Sequence, residues 1–159
     1  MYTMSSHNYE SANKRGVFIM FKKILLASDG SEHALKAAEK AVYMTKLTPE
    51  AEIEVIYVAD GATTKTDVLH NWNKLDISED RKARIESTIQ LLNDSDVKWD
   101  LKIVHGDPGP TIVEYANKHD FDLLIIGSRG LNAFQEMVLG SVSHKVVKRA
   151  NCPVLVVKS

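Results

Sequence analysis

The chain has 159 residues, 44% hydrophobic and 26% charged, which is enough for one continuous core, short of what two independent cores need, and incompatible with disorder throughout. Lys and Arg number 20 against 21 Asp and Glu, a formal charge of −1, and with the signs interspersed there is no basic stripe to neutralise a nucleic-acid backbone. One cysteine, Cys152, excludes an internal disulfide, the six histidines lack metal-site spacing, and no apolar run reaches the ~18 residues of a membrane span or forms a signal core, so a cytoplasmic protein without a metal site is expected.

Residues 1–19 are polar and aperiodic, which predicts a disordered tail ahead of one domain from Met20 to Ser159. Met20 is a candidate start, because Lys14-Arg15-Gly16-Val17 can be encoded by a purine-rich string resembling a bacterial ribosome-binding site. Ile24-Leu25-Leu26-Ala27-Ser28 is continuous enough for a strand buried on both faces, and it stops at Asp29-Gly30-Ser31. Ala34, Leu35, Ala38, Ala41 and Val42 recur at helical spacing, with Ser31 as N-cap and Pro49 beyond the end. Ile53 to Val58 reads as the second strand, and residues 60–77 as a long polar loop. Ser78 precedes a second helix running to about Asn93, and Trp99 to Val104 alternates as the third strand. Pro108 and Pro110 suit the first turn of a third helix ending near His119. Leu123 to Ile126 is the second fully apolar strand, a fourth helix starts at about Gly140 and runs to Arg149, and Pro153 to Val157 is the last strand.

Strands alternating with helices specify an α/β fold: a single open parallel five-stranded sheet covered on both faces. With strand order 3-2-1-4-5, a ligand is expected beyond the carboxyl ends of strands 1 and 4, where the order reverses. Those ends carry Ser28-Asp29-Gly30 and Gly127-Ser128-Arg129-Gly130.

Gly127-Ser128-Arg129-Gly130 is followed, after nine intervening residues, by Gly140-Ser141-Val142-Ser143 at a helix start. Such a pattern suits a phosphate cradle: glycine lets backbone N–H groups approach an anion, and the helix start adds unpaired donors, its dipole and the Ser141 and Ser143 hydroxyls. Positive φ at Gly130 or Gly140 is a further expected use. The alternative is structural, with Gly127 and Gly130 turning the chain and Ser141 acting as an N-cap. A P-loop and a Rossmann fingerprint are both missing from the sequence.

Phe21 to Ser31, the Gly106-Asp107-Pro108 turn, Leu124 to Gly130 with Gly140-Ser141-Val142, and Pro153 to Val157 together resemble the universal stress protein (UspA) family, over Met20 to Ser159. The complete glycine pattern is similar to the family's ATP-binding branch. The resemblance implies an adenine nucleotide alpha hydrolase-like fold and a nucleotide-dependent regulatory module in stress response. It implies that Ala27, Ser28 and Asp29 line the nucleoside, Asp29 being placed for the ribose or adenine edge, and that the Val58 backbone meets the adenine ring. Ile126, Gly127, Arg129 and Gly130 match the strand 4 loop, and Gly140, Ser141, Val142 and Ser143 the phosphate-binding helix start. Arg129 either contacts a phosphate or points into solvent. Magnesium would accompany ATP, held by phosphates and water. A homodimer through the last strand, apolar on both faces yet at the sheet's edge, is also implied.

His105 and His144 lack an acidic partner at an interpretable spacing, and Cys152 reads as a small buried residue. Trp72 and Trp99 are too far apart for a stacking platform. A slow ATP-hydrolysing or adenylyl-transferring enzyme is the alternative function, disfavoured because no water-activating carboxylate, arginine finger or Walker-type lysine is identifiable. A phospho-receiver would need clustered acids after strand 1, where only Asp29 stands.

Overall fold

A computed structural model describes residues 21–59, 79–130 and 139–158. The expected tail over residues 1–19, the loop over 60–77 and Trp72 lie outside the described residues. The elements are β1 (Lys23–Ala27), α1 (Glu32–Leu47), β2 (Glu52–Ala59), α2 (Glu79–Asp94), β3 (Lys98–His105), α3 (Pro108–Lys118), β4 (Leu123–Gly127), α4 (Ser141–Arg149) and β5 (Val154–Val157). The five strands pair in parallel in one sheet of order β3-β2-β1-β4-β5, as expected from the alternation of strands and helices.

From Ile24 onward β1, and all of β4, are apolar because both faces of the sheet are covered there. Ile24 and Leu26 of β1 pack with Ile125 of β4 against Ala37, Ala38 and Ala41 of α1 and Leu92 of α2. Their neighbours Leu25 and Ala27 turn the other way, against Ile112, Val113 and Ala116 of α3 and Val146 of α4. Small alanines let α1 lie close to the sheet. Each large side chain buried in these layers contributes roughly 1.5–3 kcal/mol.

The turns that aim the loops are set by local chemistry. At the α1 entry, Ser31 caps the helix, its Oγ accepting the Ala34 N–H at 3.2 Å, as the sequence predicts. Gly30, at φ 75°, makes the preceding turn, a conformation that is cheap only for glycine. After β3, Gly106 sits at φ 147° and leads to α3 with its first-turn prolines.

The two sheet edges differ. On β3, Lys98 pairs with Glu52 and Lys102 with Asp100, each at 2.6 Å, so that edge is charged. On β5, Val154, Leu155 and Val156 are each partly exposed.

Candidate functional site

Between β1 and β4 the direction of winding reverses, and the two loops leaving their carboxyl ends stand side by side. Ala27 at the end of β1, Val58 near the end of β2, Ile126 of β4 and Val142 in the first turn of α4 all belong to one apolar cluster. Four of the sequence-predicted residues thus form a common apolar floor.

Val58 brings polar groups to that floor. The Ile56 carbonyl accepts the Ser28 N–H at 3.1 Å, so this side of β2 faces β1. Peptide groups repeat every second residue along a strand, so the N–H and C=O of Val58 face the same side, where β1 has already ended at Ala27.

The opposite wall is the start of α4. Its N-cap is Gly140 at φ −69°, and the first helical bond runs from the His144 N–H to the Gly140 carbonyl at 2.9 Å. The N–H groups of Ser141, Val142 and Ser143 precede that bond and have no acceptor within the helix. They point from the positive end of the helix dipole. Helix N-capping therefore falls to Gly140, and the alternative role of Ser141 as N-cap does not hold.

Several residues reach the site by a different route from the one expected. Ser143 is buried, its hydroxyl within 2.9 Å of the Ser128 carbonyl and 3.0 Å of the Gly140 carbonyl, so the side chain braces the loop and only its backbone N–H remains for a ligand. The Gly140 N–H is likewise taken, donating to the Ser128 carbonyl at 2.7 Å. At Gly127 an added Cβ would stand 2.8 Å from the carbonyl carbon of His33, so this glycine admits the first turn of α1 against β4. The positive φ expected at Gly130 or Gly140 is not found: among the described residues the positive-φ glycines are Gly30 and Gly106. What the Gly130 position provides is room, since a Cβ there would fall 2.6 Å from Asp29 Oδ2.

Asp29 accepts the Ser31 N–H through Oδ1 at 3.0 Å, which leaves its carboxylate between the β1 and β4 loops. Ser28 is buried and turned toward α2, its Oγ 3.3 Å from Thr88 Oγ1. Arg129 is partly buried with its Nε covered. His144 is exposed on α4, His105 is partly buried at the end of β3, and no carboxylate is hydrogen-bonded to either among the described residues. The Cys152 thiol is half-buried, and burial pushes its pKa up, away from the reactive thiolate. Among the described residues no three His, Cys, Asp or Glu side chains converge as a metal site, and no helix is long and apolar enough to cross a membrane.

His33 and Thr88 were not legible as site residues. Each meets a loop serine far away in sequence, His33 at Ser128 and Thr88 at Ser28, and neither contact follows from periodicity or motif.

The model of the universal stress protein family matches residues 20–158. A universal stress protein of Bacillus subtilis, YxiE, is 31% identical, the match covering 87% of this chain and 100% of that protein. The solved structure of the hypothetical protein MJ0577, a universal stress protein of Methanocaldococcus jannaschii, is 32% identical, covers 89% of this chain and 98% of that one, and superposes with a TM-score of 0.70. A universal stress protein in complex with cAMP gives a TM-score of 0.67 over 87% of this chain and 97% of that one; at 21% identity this is a likeness of fold.

Gly127→Ala is expected to lower stability by about 1–3 kcal/mol, because the atoms its Cβ meets are helix backbone and cannot rotate away. Denaturant unfolding checks this as a lower midpoint at unchanged slope. An unchanged midpoint would mean that α1 does not press on β4.

Proposed function

The chain belongs to the universal stress protein family, and we propose that it is an ATP-binding member, a cytoplasmic regulatory module in stress response whose output depends on nucleotide occupancy. The observation that carries this reading is the meeting, at the switch point, of an apolar floor with the unpaired N–H groups of Ser141, Val142 and Ser143. A flat aromatic base suits the floor of Ala27, Val58, Ile126 and Val142, with the Val58 peptide groups facing its edge. Phosphates suit the α4 start, where donors and dipole act together on an anion. Asp29, between the loops, is placed for the ribose hydroxyls or the adenine edge. Magnesium would arrive with the triphosphate, held by phosphate oxygens and water. Proteins of this fold hold cAMP, AMP or dAMP in solved complexes; the choice of ATP here rests on the glycine pattern of residues 127–130 and 140–141, which resembles the family's ATP-binding branch.

Calorimetry with magnesium and ATP tests the reading. The parent protein is expected to bind, and Gly130→Val and Gly140→Val to weaken binding at least about tenfold, or ~1.4 kcal/mol. Valine at 130 displaces the Asp29 carboxylate, and valine at 140 presses on Ser128 O and Arg129 Cα, 3.3 and 3.4 Å from the added Cβ. Asp29→Ala should lose preference for the nucleoside while keeping the triphosphate contacts. Unchanged affinity in both folded glycine variants would contradict the cradle.

The same reading includes a homodimer through β5. This edge strand is apolar, followed by a single charge at Lys158, and its outer N–H and C=O groups can pair with a two-fold-related copy. Val147 on α4, 48% exposed, adds apolar surface. Light scattering at micromolar concentration should give the mass of a dimer, and Val156→Pro that of a folded monomer. A monomeric parent would defeat the proposal, and a dimeric Val156→Pro would place the interface elsewhere.

A further inference from the structure

Ser128 is the first residue after β4, and its polar groups reach three different elements. Its N–H donates to the Val157 carbonyl of β5 at 2.8 Å, and its carbonyl accepts from the Gly140 N–H at 2.7 Å and lies 2.9 Å from Ser143 Oγ at the start of α4. Only the side chain is left to fix the loop against α1. There Oγ lies 3.4 Å from Nδ1 of His33, in the first turn of that helix. Ser128 is 2% exposed, so its hydroxyl proton needs a protein acceptor. With the His33 nitrogen as that acceptor, Nδ1 is unprotonated and the ring proton sits on Nε2.

We propose that His33 is a positioning residue for nucleotide binding, holding Ser128, and through it the β4 loop and the α4 start, in the geometry that presents the phosphate donors. It touches no ligand itself. The inference rests on the proposed nucleotide site, because positioning matters only if that site is used. Without the ring nitrogen the Ser128 hydroxyl must turn to another acceptor. The tie to α1 is then lost, and only the peptide hydrogen bonds to Val157 and Gly140 and the Ser143 hydroxyl hold Ser128 beside the helix start.

Calorimetric titration of the full chain with magnesium and ATP, using His33→Ala, His33→Asn and Ser128→Ala, tests this. The amide oxygen of asparagine occupies nearly the place of Nδ1 and can accept the same proton. His33→Ala is expected to weaken binding about three- to tenfold, the range set by one neutral hydrogen bond, and His33→Asn to restore affinity to within about twofold of the parent. Helix propensity runs the other way, favouring alanine over asparagine, so a purely structural role for His33 would rank the two variants in reverse. Adding Ser128→Ala to His33→Ala should cost no more than either alone. If the parent binds and His33→Ala binds equally well, or asparagine is no better than alanine, the positioning role is overturned while the nucleotide site stands. If the parent binds no nucleotide, both fall.

Discussion

The close approach of the first turn of α1 to the end of β4 is the constraint on which the rest of the site depends. Gly127 makes it possible by having no side chain where the His33 backbone lies. With α1 so near, the adjacent serine reaches His33, and its peptide groups fall to β5 on one side and α4 on the other. Ser128 is thereby tied to three elements. Such preorganisation matters for an anion site, since backbone donors held in place avoid the ordering cost that a flexible loop would bear on binding.

The same contacts hold the first turn of a short helix where the proposed site needs it. The α4 donors lie beside a packed apolar floor, and Val146, one turn further along, anchors the helix in the core. Fixed dipoles beside apolar surface interact with charge more strongly than they would in water. The sheet is polarised in another sense: charged residues paired across β3 protect one edge, whereas aliphatic β5 leaves the other open. Ser128 is bonded to Val157, the last residue of that edge, so a backbone hydrogen bond joins the proposed site to the edge strand.

Much of this was legible in the sequence. β1 and β4 are unbroken apolar runs because both faces are covered, and their order fixed the switch point between Ser28-Asp29-Gly30 and the glycine-marked β4 loop. Strand ends were less legible: β2 begins at Glu52 and β3 at Lys98, whose side chains pair across the strands, and backbone ladder pairing carries the two strands on to Ala59 and His105. Glycine and serine pointed to the right place but not to their individual tasks. A glycine that admits a helix and one that admits a phosphate look identical in sequence, so the part Gly127 plays against α1 was not legible. Ser143 is similar, since helix phase turns its hydroxyl inward, and that depends on how α4 docks. His33 left no signal, because its partner lies 95 residues away.

The most direct test of nucleotide binding at the switch point is a backbone amide NMR titration of the full chain with magnesium and ATP. Shifts concentrated at Ser141, Val142, Ser143 and Val58 are the expected result. Shifts confined to the amino ends of the strands around Lys98 and Trp99, or no shifts at saturating ATP, would contradict it.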